Sequence, residues 1–330
     1  MTIQNGLLLM NIGSPKAPDT SSVRRYLHTF LSDYRVINLP APLRYLLLYA
    51  FILPFRPRRS AHAYQEIWTS EGSPLMKHSQ DLCDKLQVRL GTQCKVVLGM
   101  RYSEPSISDA LEQLKDCKHI TILPLYPQYS SAATGSAIEK VLREMAPKAI
   151  FPSMTIIRDF YQHPAFISAQ AAKIKPYIAD HDYLLFSYHG LPENQLEKEG
   201  CKPVCIANCP PKSAQNQGCY RAQCQQTSAL LANEIGLTDY ATSFQSRLGK
   251  TPWIKPYTDL ILTDLAARGI KRLAVACPSF VSDCLETLEE IGIRAREQWI
   301  EAGGEELTLI PCMNADDQWV EAVVTLVGDS

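Results

Sequence analysis

Short runs rich in Val, Ile and Leu recur along the whole chain, most of them closed by Gly, Pro or Ser, and longer helix-patterned stretches separate most of them. The clearest runs are Gly6–Ile12, Lys95–Tyr102, His119–Tyr126, Thr155–Phe160, Tyr183–Tyr188, Ala241–Gln245, Arg272–Ala276 and Glu306–Ile310. Helical patterning is strongest over Ser79–Leu90, Ile107–Leu114, Ala165–Ile178 and Pro256–Arg268. Strand alternating with helix implies an α/β fold with parallel sheets flanked by helices. Near-continuous apolar strands fit burial on both sheet faces. Eight strands in two groups of about four predict two Rossmann-like domains, with boundaries at 1–153 and 154–330, the catalytic candidates in the second and its last helix packing back on the first. A length of 330 residues suits two domains of roughly 150 residues each.

Charge and hydropathy exclude several function classes. Thirty-three Lys and Arg against 34 Asp and Glu leave a net charge of -1, without the basic excess that nucleic-acid binding calls for. The longest uncharged apolar run, Tyr45 to Phe55, is 11 residues, short of the ~20 that span a bilayer. The N-terminal stretch has no basic n-region, so an export signal is not expected and a cytoplasmic location is. The 11 cysteines then read as reduced thiols or metal ligands before disulfides. Neither G-x-G-x-x-G nor a Walker loop occurs, so no nucleotide is expected.

Ligands of open parallel sheets bind beyond the carboxyl ends of the strands. In this chain those ends carry Asn11–Pro15, Arg101–Ser103, Pro124–Tyr129, Ser187–Gly190, Phe244–Arg247 and Cys277–Phe280, rich in aromatic and hydrogen-bonding groups. His189 sits at such an end, where an imidazole exchanges protons near neutral pH; the same position also suits a histidine that merely satisfies local backbone groups. Asp283, Glu286 and Glu290 fall within roughly 60° of one face of a predicted helix, while Glu289 points elsewhere. Three carboxylates on one stripe hold a cation, share protons or face water. Asp283-x-x-Glu286 equally has the spacing of a capping box.

The segments LLLMNIGSP, RRYLHTFLSDYRVINLP, EGSPL, GMRYSEPSI, YPQYSSAATGS, SYHGLPE, TSFQSRLGKTPWIKPYTD and CPSFVSDCLETLEEI together resemble the ferrochelatases over nearly the whole length. The resemblance implies a chelatase-like fold of two Rossmann-like domains with a porphyrin cleft between them. It also implies an enzyme, a lyase that inserts Fe2+ into protoporphyrin IX as the terminal step of haem biosynthesis and releases two protons. By position, His189 resembles the family's proton-accepting or metal-contacting histidine and Glu286 its catalytic glutamate. Asp283 and Glu290 resemble the acidic companions on a proton or metal path. Asn11, Ile12, Tyr64, Ser73, Arg101, Tyr102 and Trp253 match porphyrin-binding positions. The coproporphyrin-using branch has Tyr where this chain has Ile12, which favours protoporphyrin. The human-type cluster uses an inner Cys and a Cys-rich tail; Ser131 and an end at Ser330 leave that cluster type unexpected.

Five cysteines, Cys201, Cys205, Cys209, Cys219 and Cys224, fall within 24 residues of a Pro-containing loop. Four thiolates there suit [2Fe–2S] or zinc, or the loop carries free thiols; some bacterial ferrochelatases with internal cluster cysteines are similar, which favours iron. Leu39–Arg59 is apolar all round in its middle and closes with Arg56, Arg58 and Arg59. It reads either as core or, by the resemblance, as a cleft lip, with Leu43–Phe55 making peripheral contact with the inner membrane face. The alternatives are a cobalt chelatase of a related tetrapyrrole, a non-catalytic haem or porphyrin carrier, and an iron–sulfur electron-transfer module.

Overall fold

The computed structural model describes residues 5–198, 216, 218–249 and 251–330. Two compact units are present, one of residues 1–126, 130–159 and 327–330, the other of residues 127–129 and 160–326.

In the first unit the strands are β1 (Asn5–Asn11), β2 (Cys94–Met100), β3 (His119–Pro124) and β4 (Ser153–Ile156), all parallel in the order β2-β1-β3-β4. Its helices are α1 (Thr20–Leu31), α2 (Ala41–Leu47), α3 (Arg56–Ile67), α4 (Pro74–Leu90), α5 (Ile107–Gln113) and α6 (Ser136–Met145). Leu8, Met10, Val97, Ile120 and Ile122 pack one sheet face against Ile107, Ala110 and Leu111 of α5 and Val141 of α6. Strand side chains alternate faces, so Leu7 and Leu9 bury the opposite face, and α4 also lies on β2. The expected boundary after residue 153 falls inside this unit, because β4 begins at Ser153 and pairs along β3.

The second unit repeats the plan with β5 (Tyr183–His189), β6 (Ala241–Gln245), β7 (Arg272–Ala276) and β8 (Glu306–Leu309), again all parallel, in the order β6-β5-β7-β8. Its helices are α7 (Pro164–Ile174), α8 (Glu193–Lys198), α9 (Tyr220–Ile235), α10 (Thr258–Ala267), α11 (Leu285–Leu288), α12 (Arg296–Glu301) and α13 (Asp317–Gly328). Leu185, Leu273, Val275 and Leu307 pack on Leu262, Leu265 and the fully buried Trp299. On the other face Tyr188 donates to or accepts from Ser228 of α9 at 2.9 Å. In each sheet the chain leaves the second strand in the order, runs to the edge, and returns to the far side. That reversal opens a crevice beyond the carboxyl ends of β1 and β3, and of β5 and β7.

The apolar segment 41–55 is two-faced. Arg44, Leu48 and Leu53 are buried, whereas Leu43, Tyr45, Leu46, Tyr49, Phe51 and Phe55 are exposed, Phe55 by 73%. Residues 48–52 form a π-helical turn. No helix among the described residues is long and apolar enough to cross a membrane.

Candidate active site

β5 is buried up to its last residue, His189, which is half-exposed at the carboxyl edge. The backbone there is pinned on three sides. The His189 N–H donates to Ser279 Oγ (3.1 Å), its carbonyl accepts from the Tyr220 hydroxyl (2.9 Å), and the next N–H, of Gly190, donates to the Gln245 carbonyl (2.8 Å). The ring Nδ1 lies 2.6 Å from the Gly190 carbonyl oxygen. A carbonyl only accepts, so Nδ1 carries the hydrogen, and in the neutral ring the lone pair is then the one on Nε2. Trp253 and Phe280 flank the imidazole, each with ring centroids 6.4 Å away. Trp253 is held by its indole N–H on the Leu248 carbonyl, 2.9 Å.

Gln245, in register with His189 on the neighbouring strand, links this edge to the acidic segment. Its buried amide oxygen accepts from Ser187 (2.7 Å), and its Nε2 donates to the Glu286 carbonyl (2.7 Å) and, at 3.4 Å, to the Glu290 carboxylate. Ser246 follows in a left-handed conformation, φ 66°. This conformation is strained for serine, and it aims both the N–H (2.8 Å) and the hydroxyl (2.5 Å) at the Glu290 carboxylate. His189, Glu286 and Glu290 therefore share one edge of the second sheet. The thiol of Cys284 beside them is pushed well above its usual range, by burial first and then by the Glu286 charge.

In the first unit, β1 and β2 end side by side. The Arg101 and Tyr102 N–H groups donate to the Asn11 and Ile12 carbonyls, at 2.8 and 3.1 Å. Asn11 is buried, its amide donating to Ser79 (3.1 Å) and its oxygen accepting from the Ile12 N–H (2.8 Å). Ile12 is half-exposed. The sharp turn after it needs Gly13, φ +98°, where a Cβ would meet Ser103 Oγ at 2.3 Å. Tyr64 is buried in α3 with its ring edge-on to Trp68, and Ser73 is buried just before α4. Burial pushes the Tyr102 hydroxyl well above its ordinary range, helped by the Asp33 charge.

A family profile described as ferrochelatase matches residues 4–330. The chain belongs to the ferrochelatase family. A relative named ferrochelatase from Legionella pneumophila, strain Philadelphia 1, is 58% identical over 329 residues, covering 99% of each chain. One of the same name from Coxiella burnetii, strain Dugway, is 49% identical, covering 98% of this chain and 93% of the relative. Among solved structures, SirB from Bacillus subtilis with Fe3+ superposes with a TM-score of 0.56 at 10% identity, covering 99% of this chain and 95% of that one. At that identity the likeness shows the fold alone, two four-stranded parallel sheets flanked by helices.

On this ferrochelatase fold the three carboxylates do not share a helical stripe as the spacing predicts. Asp283 precedes the helix: Cys284 is the N-cap of α11, and the capping box runs between Cys284 and Thr287. The Asp283 side chain turns inward and accepts from Thr287 Oγ1 (3.1 Å), the Cys312 N–H (3.2 Å) and Asn314 Nδ2 (2.8 Å), while its own N–H donates to Asn314 Oδ1 (2.8 Å). Glu290 opens a π-helical turn, residues 290–295, not a continuing α-helix. Asn314, with φ 53°, and the buried hydroxyls of Ser187, Ser243 and Thr258 that run up to Gln245 escaped sequence reasoning. The available signal was a serine inside the otherwise apolar run of β5 and the polar Thr242, Ser243 and Gln245 of β6. Of the five loop cysteines, Cys201, Cys205 and Cys209 lie outside the described residues. Cys219 and Cys224 are buried, and burial raises the Cys224 thiol far above its usual range.

Proposed function

We propose that the chain inserts Fe2+, as substrate, into protoporphyrin IX, forming protohaem and releasing two protons. Family membership supports the reaction, and the observation that supports the mechanism is the His189 Nδ1 bonded to the Gly190 carbonyl, which leaves Nε2 as the nitrogen that accepts a proton in the neutral ring. A free-base porphyrin carries two inner N–H groups, and both protons must leave as the metal enters. A neutral imidazole is suited to accept them. Glu286 and Glu290 supply oxygen ligands that hold a ferrous ion weakly enough to release it, and Ser246 keeps Glu290 oriented. Asp283, with its carboxylate occupied by three donors, acts by fixing the start of α11. Porphyrin contact is assigned to Asn11, Ile12, Tyr64, Ser73, Arg101, Tyr102 and Trp253. Anaerobic incubation of the full chain with Fe2+ and protoporphyrin IX is expected to produce the haem absorption spectrum; a spectrum unchanged from free porphyrin would refute the assignment.

The exposed apolar face of segment 41–55 supports peripheral attachment to the inner face of a membrane, with the protein cytoplasmic. Arg58 and Arg59 are exposed beside it to meet anionic headgroups. Leu46, Phe51 and Phe55 replaced together by Ser should abolish binding to anionic vesicles and leave the folded state intact; binding equal to wild type counts against attachment. A [2Fe–2S] centre, with zinc as second choice, is proposed for the cysteine loop on the density of its thiols. Cys219 and Cys224 supply two of the four ligands such a centre takes. Burial of Cys224 favours its protonated thiol, so metal binding there would release a proton. Anaerobically purified protein should contain about two irons and two sulfides per chain, and a colourless preparation free of iron and zinc would remove the centre.

A further inference from the structure

Asp33, which lies two residues beyond α1, is a heavily bonded acidic group of the first unit. Its Oδ1 accepts from the Arg35 N–H at 2.8 Å. Its Oδ2 accepts from Arg101 Nη2 (2.7 Å), the Tyr102 hydroxyl (2.9 Å) and Ser136 Oγ (2.5 Å). The Asp33 side chain is only 4% exposed, and that of Arg101 is 20% exposed. Arg101 Nε donates to Ser136 Oγ (2.8 Å) and to the Ser136 carbonyl (3.1 Å), and its guanidinium lies 4.5 Å from the centre of the Tyr102 ring. Arg101 is thus held by its Nε and Nη2 edge, with its unit charge cancelled by a carboxylate at contact distance. Nη1 has no protein partner among the described residues.

We propose that Asp33 is a specificity-determining residue that limits how many carboxylates the accepted tetrapyrrole carries. The inference rests on the reading of Arg101 and Tyr102 as porphyrin-contacting groups. A bare arginine would draw anionic side chains strongly and would favour a ring with four carboxylates over one with two. Paired with Asp33, Arg101 offers one hydrogen bond from Nη1 without a net field, so additional carboxylates gain nothing at this wall. Asp33 acts through Arg101 as a positioning residue, and it also holds the hydroxyl of the buried Tyr102, whose ring lies under the Arg101 guanidinium.

The test is fluorescence titration of the full chain at low salt with protoporphyrin IX, two carboxylates, and coproporphyrin III, four. The readout is the ratio of the two dissociation constants. Asp33→Asn leaves Arg101 uncompensated and should shift the ratio toward the four-carboxylate ring by about 10-fold. Arg101→Gln leaves the opposite charge and should shift it the other way. The double variant should return the ratio to that of wild type, and both single-variant shifts should shrink in high salt. A purely structural role would weaken both porphyrins alike and leave the ratio fixed, which overturns the proposal. So would a shift of the same sign in the two single variants. If Asp33→Asn does not fold, Arg101→Gln decides alone, an unmoved ratio being refutation. Failure of the wild-type protein to bind either porphyrin would instead sink the chelatase reading itself.

Discussion

Replacing Gly190 by Ala is the sharpest perturbation of the His189 edge, because it adds one methyl group and removes no functional atom. The new Cβ would stand 2.7 Å from the Gln245 carbonyl oxygen and 3.2 Å from the Trp253 ring. The first contact is with a backbone atom that cannot swing aside, and that oxygen already accepts the Gly190 N–H at 2.8 Å, so relief requires β5 and β6 to part by about 0.5 Å or more at their ends, since close-packed atoms cannot overlap. Overpacking of this kind costs about 1–3 kcal/mol. The displacement passes to His189, whose Nδ1 is tied to the Gly190 carbonyl, and through Gln245 to Glu286 and Glu290. Misplacement of reacting groups by about 1 Å costs ~100-fold in rate. Urea unfolding and anaerobic haem formation, measured on the same preparation, are expected to show a lower midpoint together with a loss of that order in kcat. Stability and turnover both within error of wild type would refute the argument that this turn sets the histidine.

His189→Ala and Glu286→Gln should each keep the fold and lose about 100-fold or more of metal insertion; near-normal turnover by either folded variant removes the role of that residue. Asp283→Ala strips the acceptor from the buried Cys312 N–H and the half-buried Asn314 amide, while Thr287 Oγ1 can still donate to the Cys284 carbonyl; an unpaired buried donor costs about 1–3 kcal/mol. The urea midpoint of this variant should therefore drop far more than that of Glu286→Gln, and an unchanged midpoint would contradict the anchoring role. Burial pushes the Cys83 thiol up to about 12 from an ordinary 9. The unfolded chain then loses this proton first, and the stability present below pH about 9 should fall as pH rises toward 12. Cys83→Ala should flatten that alkaline slope relative to wild type in urea titrations, and an equal slope would exclude the thiol as its source.

Seven strands were legible because they are runs rich in apolar residues, closed by turn residues and mostly buried; the fourth was read too late, since Thr155–Phe160 overlaps β4 only at Thr155 and Ile156, where the edge strand is short and only partly buried. Helix bounds were less legible: α4 starts at Pro74, ahead of the patterned stretch Ser79–Leu90, and α10 starts at Thr258, after Pro256. His189 stood out because a strand end can be read from sequence. The acidic segment was misread for a local reason: the heptad-like spacing of Asp283, Glu286 and Glu290 assumes an unbroken α-helix, whereas the helix begins after Asp283 and passes into a π-helical turn at Glu290. The Asp33 cluster was invisible for a non-local reason. Its partners Arg101, Tyr102 and Ser136 lie 68, 69 and 103 positions away, and no periodicity connects them.

The π-helical turn at residues 290–295 separates two mechanical tasks along one helical run. A π turn holds an extra residue compared with an α turn, and each residue advances an α-helix by 100°, so the rotational phase before the turn is decoupled from the phase after it. Ahead of the turn the Glu286 carbonyl accepts from Gln245, and Glu290, the first residue of the turn, accepts from the Ser246 N–H. Downstream, Trp299 is sealed in the apolar core. The turn acts as a universal joint: the acidic end can be re-aimed by a small twist while the tryptophan end stays seated, and a single-residue deletion within 290–295 would weld the two phases together and force one of them out of place.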